Sequence, residues 1–313
     1  MAGNNKTLQG FQVEQSVIET HALTVNSVEL QLRCFGSDNT GAVLLLVHGA
    51  LEDGRVFHPR TDQGLAGTLV AAGHTVYVVD LRGHGASQPA LADATEGMTQ
   101  SALISQDLPA VLAFIRARHA ERPLFCVGHG WGGVWMVSAL IRHPELLPAI
   151  SGLLHFGVRR RQQHGSGLTR LASRWVWQRL LPLLGKINGV IPGRALAIGT
   201  ADESTAIYAA NLAWMRGEWR DLEDGFDYAS AIDKLDWPPA LYLAGESDRQ
   251  QGHIGDVRDF AREMGPHDAQ IVLLEKGQGC SRRYSHNDLL THPQAEVDHF
   301  PLVLGWLEQH LPR

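Results

Sequence analysis

The stretch VGHGWGG, residues 127–133, closes an apolar run, LFCVGH (124–129), and opens a helical pattern that starts near Trp131. A short apolar run bounded by glycines reads as a buried strand, and the longer 3.6-residue pattern behind it reads as a helix. The chain must therefore reverse sharply at Gly130. In the G-x-S-x-G pattern the central residue is held at positive φ on such a turn, so the residues two before and two after it must be small. Gly128, Gly132 and Gly133 meet that demand. A helix starting behind the turn directs N–H groups and its positive dipole end at the same spot, which favours a negatively charged oxygen there. At the centre, where the pattern carries a hydroxyl, this chain has glycine.

Outward from the turn, short strand-like runs alternate with helical patterns, which predicts βαβ units and a mainly parallel sheet. HALTVN (21–26) and ELQLRCF (29–35) have the alternating faces of an opening hairpin. AVLLLVHG (42–49), TVYVVD (75–80), LFCVGH (124–129), ISGLLHF (150–156), ALYLAG (240–245) and QIVLLE (270–275) are continuous apolar runs, as strands buried on both faces require. Helices are expected near 62–72, 100–119, 131–142, 254–264 and 295–311. Between about Gly157 and Asp236 the alternation stops: there is no clear strand and there are several short helical patterns. Residues 1–156 and 237–313 are thus expected to form the core domain, and 157–236 a helical cap inserted into it.

Composition narrows the function. The chain has 313 residues, 44% of them hydrophobic, enough for a large buried core. With 33 acidic and 27 basic residues the formal charge is -6, so no basic field exists to hold a nucleic-acid backbone. Cys34, Cys126 and Cys280 form an odd set without CxxC spacing, which fits a reducing compartment. MAGNNKTLQGFQVEQ has no basic region followed by an apolar one, so no signal peptide is expected. No apolar run reaches membrane-spanning length, so no transmembrane segment is expected and a cytoplasmic location is. The histidines lack metal-site spacing, and no glycine-rich phosphate loop follows a strand, so neither metal nor nucleotide cofactor is expected.

Three motifs in this order carry a resemblance to the α/β-hydrolase superfamily, from about Val28 onward. LLLVHGA resembles that family's oxyanion strand, VVDLRGHGAS (78–87) resembles the D-x-R-G-x-G-x-S stretch after the next strand, and residues 128–133 resemble its nucleophile turn. The resemblance implies an α/β-hydrolase fold, with a mainly parallel central sheet, helices on both faces and a helical cap. It also implies an esterase- or lipase-like chemistry on a small-molecule substrate. The backbone N–H groups of Ala50 and Trp131 would be the oxyanion donors. The family's order is nucleophile, acid, histidine. Downstream, Asp248 in LYLAGESD lies just past a strand, and His286 in YSHNDLL lies on the loop before the closing helix. Glu246 and Asp288 are alternatives for the acid. His48 and His84 are expected to shape loops by hydrogen bonding.

The 157–236 segment holds four of the eight tryptophans, Trp175, Trp177, Trp214 and Trp219. From Arg159 to Arg194 it carries eight basic residues and no acid. One reading is a lid whose apolar side roofs a pocket while its arginines meet an anionic group. The other is an amphipathic helix with Leu168, Leu171 and Trp175 inward and Arg170 and Arg174 in water. Leu51, Trp175 and Trp214 are the expected substrate-binding side chains, for a substrate with an apolar portion. A homodimer is compatible with the sequence.

Gly130 admits three accounts. A parent chain with serine there could run acyl transfer, this chain being its disarmed variant; the intact acid, histidine and oxyanion framework favours that account. The protein could instead bind a small ligand without turnover, or His286 and Asp248 could activate water or abstract a proton without a nucleophile. Cys126, inside a strand, reads as a buried structural thiol. Cys280, near His286 in sequence, is the alternative nucleophile to test.

Overall fold

The computed structural model describes residues 18–59, 63–94, 96–165 and 175–311. Its strands are β1 (Ile18–Val25), β2 (Val28–Phe35), β3 (Val43–Val47), β4 (Thr75–Asp80), β5 (Leu124–His129), β6 (Ile150–Phe156), β7 (Val190–Ile191), β8 (Glu203–Ser204), β9 (Ala240–Gly245) and β10 (Ala269–Leu274). Eight of them form one sheet in the order β1-β2-β4-β3-β5-β6-β9-β10. The β1/β2 and β2/β4 pairs are antiparallel, and every other pair in this sheet is parallel. The expected hairpin turns through Asn26, whose φ of 53° is the left-handed conformation a two-residue turn demands and asparagine tolerates.

Every residue of β3, β4, β5 and β9 is buried. The reason is coverage of both faces, which is why these strands lack polar alternation. Alternate residues serve opposite cores. Val43, Leu45 and Val47 of β3 pack with α2 (Leu108–Arg118), α3 (Trp131–Arg142) and α6 (Ile254–Glu263). Leu44 and Leu46 pack with α1 (Gly64–Ala71) and α7 (Phe300–His310). Truncating such a leucine to alanine costs about 2–5 kcal/mol.

The direction of strand addition reverses at β3: β4 lies on one side of it, and β5, β6, β9 and β10 follow on the other. Ligands in open α/β sheets bind outside the carboxyl ends of strands at such a switch point. The loops after β3, β5, β6, β9 and β10 all emerge at that edge, and each carries residues singled out above.

The 157–236 segment contains α4 (Leu181–Asn188), the β7/β8 pair and α5 (Thr205–Met215). The antiparallel pair departs from the expectation of no strand. Two residues per strand are too few to show a period-2 pattern. Ser204 caps α5, its Oγ accepting from the N–H groups of Ala206 and Ile207. Trp175 departs too, since it is 59% exposed instead of packed inward. Trp177, two residues on and roughly 200° around a helix, takes the inner side against Leu51, Leu181 and Tyr208. Leu168, Arg170, Leu171 and Arg174 lie outside the described residues. Among the described residues no helix is long and apolar enough to cross a membrane.

Candidate active site

Gly130 has φ 48° and ψ -120°, between the last residue of β5 and the first of α3. Its N–H donates to Phe156 O at 2.9 Å, tying the turn to the end of β6. The flanking glycines are required by contact. A Cβ on Gly128 would lie 2.3 Å from Gly133 Cα, and one on Gly132 would lie 2.3 Å from Val47 O. The turn is thus pressed against β3 on one side and its own helix on the other.

A Cβ built on Gly130 would lie 3.0 Å from Nε2 of His286. The other ring nitrogen, Nδ1, is 2.6 Å from Oδ2 of Asp248. Asp248 is 4% exposed, and burial by itself would raise its pKa. The facing imidazole and the N–H groups of Gly252 and Gln251 outweigh burial and hold the carboxyl down at about 2. It is therefore an anion that can orient the imidazole with Nδ1 protonated and Nε2 directed at position 130. The alternatives for the acid are engaged elsewhere: Glu246 meets the Lys276 N–H and Arg283, and Asp288 meets Arg282.

Sequence reasoning missed a second acid–imidazole pair behind the first. Buried His129, the last residue of β5, places Nδ1 2.7 Å from Glu52 Oε2 and Nε2 3.3 Å from the backbone O of His286. Both ring nitrogens face acceptors, so both donate. Burial would lower the pKa of His129, but the Glu52 carboxylate raises it; Glu52, despite its own burial, is held below the usual carboxylate range by His129. The two rings lie 4.3 Å apart between centroids. Glu52 also accepts the Gly49 N–H at 3.0 Å, so one carboxylate braces the loop after β3 and the imidazole under His286. A glutamate four residues after His48 and a histidine directly before Gly130 were the available signals.

Ala50 and Trp131 line one cleft with Gly130 and His286. Among the described residues neither backbone N–H has a hydrogen-bond partner. Leu51 lines the cleft as well, at φ 63°; its N–H donates to Glu203 at 3.3 Å and its O accepts from Ala201 N at 2.9 Å. The loop after β3 is thereby held from the 157–236 segment. Trp175 and Trp214 do not line the cleft. Trp214 is fully buried, donates to Arg220 O and packs on Trp219 and Tyr228. Trp177, Tyr208, Leu212 and Met215 supply the apolar wall instead.

The basic run divides. Arg160 pairs with Glu263 through two hydrogen bonds, and Arg161 lies 3.0 Å from the same carboxylate. Arg159 is 8% exposed and lines the cleft, with burial pushing its guanidinium pKa down. His48 accepts the Leu81 N–H and donates to Gly49 O. His84 donates to Arg82 O and lies 3.4 Å from Glu203. Both do the loop-shaping expected of them. Cys126 is buried, its thiol pushed up to about 12. Cys280 is 6% exposed and likewise raised, so neither thiol carries the thiolate character a nucleophile needs.

Two groups of described residues bring potential metal-donor atoms within 4.8 Å of one another, Glu52/His129/His286 and His164/His253/Asp256. In the first, the Glu52–His129 hydrogen bond and the Gly49 N–H already use the facing atoms. In the second, Asp256 Oδ1 accepts from the N–H groups of Gln163 and His164.

A family model described as serine aminopeptidase, S33, matches residues 38–196. No curated protein matches the chain. Among solved structures, a soluble variant of monoglyceride lipase from Saccharomyces cerevisiae is similar at 15% identity and TM-score 0.65, covering 97% of this chain and 98% of that one. An esterase from Thermogutta terrifontis is similar at 19% identity and TM-score 0.60, covering 94% and 100%. A putative lipase from Acinetobacter baumannii is similar at 16% identity and TM-score 0.60, covering 93% and 92%. At these identities the likeness is one of fold.

Proposed function

The chain belongs to the serine aminopeptidase, S33, family of α/β-hydrolases, and on that premise we propose that its site is that of a Ser-Asp-His hydrolase of carboxylic esters or related acyl substrates, disarmed by glycine at position 130. Residues 157–236 act as its cap. One observation carries the reading: a side chain at position 130 would start 3.0 Å from Nε2 of an imidazole whose Nδ1 is 2.6 Å from a buried carboxylate. The lipase and esterase neighbours, and the apolar wall of Leu51, Trp177, Leu212 and Met215, support a substrate with an apolar portion. Three free, buried cysteines fit a reducing, cytoplasmic setting.

With a hydroxyl at 130 the chemistry follows from position. His286 Nε2 takes the hydroxyl proton as the oxygen attacks the substrate carbonyl. Asp248 fixes the tautomer and stabilises the imidazolium. The Ala50 and Trp131 amides hold the oxyanion, His286 returns the proton to the leaving group, and water then releases the acyl group. With glycine the covalent step is closed. Loss of a triad nucleophile costs about 10⁶ in kcat, while the oxyanion hole and binding retain roughly 10³ over water.

The test is Gly130→Ser, with Gly130→Ala as control, assayed on p-nitrophenyl butyrate and octanoate. The serine variant is expected to show a p-nitrophenolate burst and turnover at least 10³-fold above the control. A folded serine variant with neither burst nor turnover on either ester defeats the reading.

A further inference from the structure

Arg159 follows β6 by three residues, on the cleft side of the sheet. Its Nη2 donates to Gln250 O at 2.8 Å, and its Nε and Nη1 are buried without a hydrogen-bond partner among the described residues. No carboxylate lies within ion-pair range of it among those residues. Asp248 and Asp256 contribute only their field: Asp248 is held by His286 and the Gln251 N–H, and Asp256 Oδ1 by two backbone N–H groups and His164 Nδ1, while Asp256 Oδ2 is buried without a hydrogen-bond partner among the described residues and outside ion-pair range of Arg159. A buried charge with open donors costs folding free energy unless something completes it.

A second open donor lines the same cleft. Asn211, 2% exposed on α5, accepts through Oδ1 from Gln100 Nε2 at 2.7 Å and from Trp135 Nε1 at 3.1 Å. An indole N–H can only donate, so the amide orientation is fixed and Nδ2 is the group left over. That Nδ2 is buried with no partner among the described residues. Tyr208, Asn211, Leu212 and Met215 fall at i, i+3, i+4 and i+7, so one face of α5 presents a single amide among apolar side chains to the cleft.

The carboxylates beside the cleft are engaged in pairs, Asp248 with His286 and Glu52 with His129. Apart from His286 Nε2, the open buried side-chain groups among the described residues of the cleft are donors, one of them a cation whose planar fork matches a carboxylate. Resting on the hydrolase reading above and extending it, we infer that the cleft binds a ligand carboxylate through Arg159, with the Asn211 amide as a further donor, so that its substrates are acyl compounds carrying a free carboxylate beside an apolar portion. A carboxylate could come from the substrate itself or from the acid that hydrolysis releases, and the probes must separate the two.

The experiment uses the chain as it stands, with glycine at 130, and measures binding by calorimetry. The probes are monomethyl adipate, dimethyl adipate and hexanoate. Monomethyl adipate is expected to bind at least tenfold more tightly than the neutral diester. Arg159→Gln should abolish that preference and Arg159→Lys should keep part of it. Hexanoate binding with the same Arg159 dependence, without monoester binding, assigns the carboxylate to the product and overturns the substrate class. Equal affinity for the two esters overturns the carboxylate site itself. A thermal melt guards against a purely structural arginine: removing an unsatisfied buried charge should leave Tm unchanged or higher, so loss of binding together with a fall of several degrees counts against the inference. Because binding here needs no nucleophile, an inert Gly130→Ser variant would sink the hydrolase reading and leave this result standing.

Discussion

Gly157, at the end of β6, is where the site is most sensitive to one added carbon. Its φ is 60°, and a Cβ there would lie 2.7 Å from Nδ1 and 2.8 Å from Cε1 of His286, and 3.4 Å from Oδ2 of Asp248. Ordinary contact starts near that last distance, so the ring must withdraw by about 0.7 Å. The same Nδ1 makes the 2.6 Å bond to Asp248, and a withdrawal of that size takes it past normal hydrogen-bond length. Losing a hydrogen bond to a charged group costs about 1.5–3 kcal/mol, and alanine in the left-handed region about 1 kcal/mol more. We expect Gly157→Ala to lower the unfolding free energy by about 3 kcal/mol in urea titrations, out of the 5–15 kcal/mol typical of a domain. The far-downfield Nδ1 proton resonance of His286 should disappear from the NMR spectrum. In a Gly130→Ser background, ester turnover should fall roughly 10³- to 10⁴-fold, as when an orienting carboxylate is lost. An alanine variant with unchanged stability and an intact Nδ1 resonance would refute the claim that the 2.6 Å bond depends on a bare residue 157.

Gly130→Ser should itself cost stability, because φ 48° with ψ -120° strains a non-glycine residue by about 1–3 kcal/mol. A thermal melt should show a loss of about 2–4 °C per kcal/mol, and an unchanged or higher Tm counts against the strain. Acid should unfold the chain early, since burial lowers the pKa of His155 to about 3 and of His299 to about 4. Folded values below the ordinary 6.5 mean that their stability is complete above pH 6.5 and falls as pH drops, by about 2 kcal/mol per pH unit for the pair between pH 6 and pH 4. Asp248 adds about 2 kcal/mol that is present above its ordinary 3.8 and lost only as pH falls toward about 2. Urea titrations from pH 8 to pH 4 check the histidine part and their extension to pH 2 the Asp248 part, and a flat profile contradicts the reasoning. Glu203→Ala leaves the Leu51 and Ser204 N–H groups without their carboxylate acceptor and should cost about 1–3 kcal/mol for each one that stays buried. In the Gly130→Ser background it should raise KM more than it lowers kcat; an unaltered KM argues against Glu203 as the brace of the Leu51 loop.

Much of the molecule was legible along the chain because the signals are local. TVYVVD, LFCVGH, ISGLLHF and ALYLAG coincide with β4, β5, β6 and β9, since a strand buried on both faces must be continuously apolar. The turn at 128–133 announced itself through glycines that contact demands. Asp248 and His286 were singled out from their places after strands, and the structure puts the imidazole over position 130 with the carboxylate behind it. The 157–236 segment was harder. Its contacts are made to loops far away in sequence, so neither the β7/β8 pair nor the outward Trp175 leaves a periodic trace.

What the sequence determined by itself was the alternation of buried strands and helices, the reversal at Gly130 and the lack of a hydroxyl on it, because each depends on steric and solvation demands of neighbouring residues. What tertiary structure alone decided was which polar groups find partners: Glu52 with His129, Arg160 with Glu263, Glu203 with the Leu51 loop, and, among the described residues, Arg159 Nε and Nη1 and Asn211 Nδ2 with none. Hydrogen bonds form or fail over a few tenths of an ångström between segments 50 to 150 residues apart, and no local pattern carries that information.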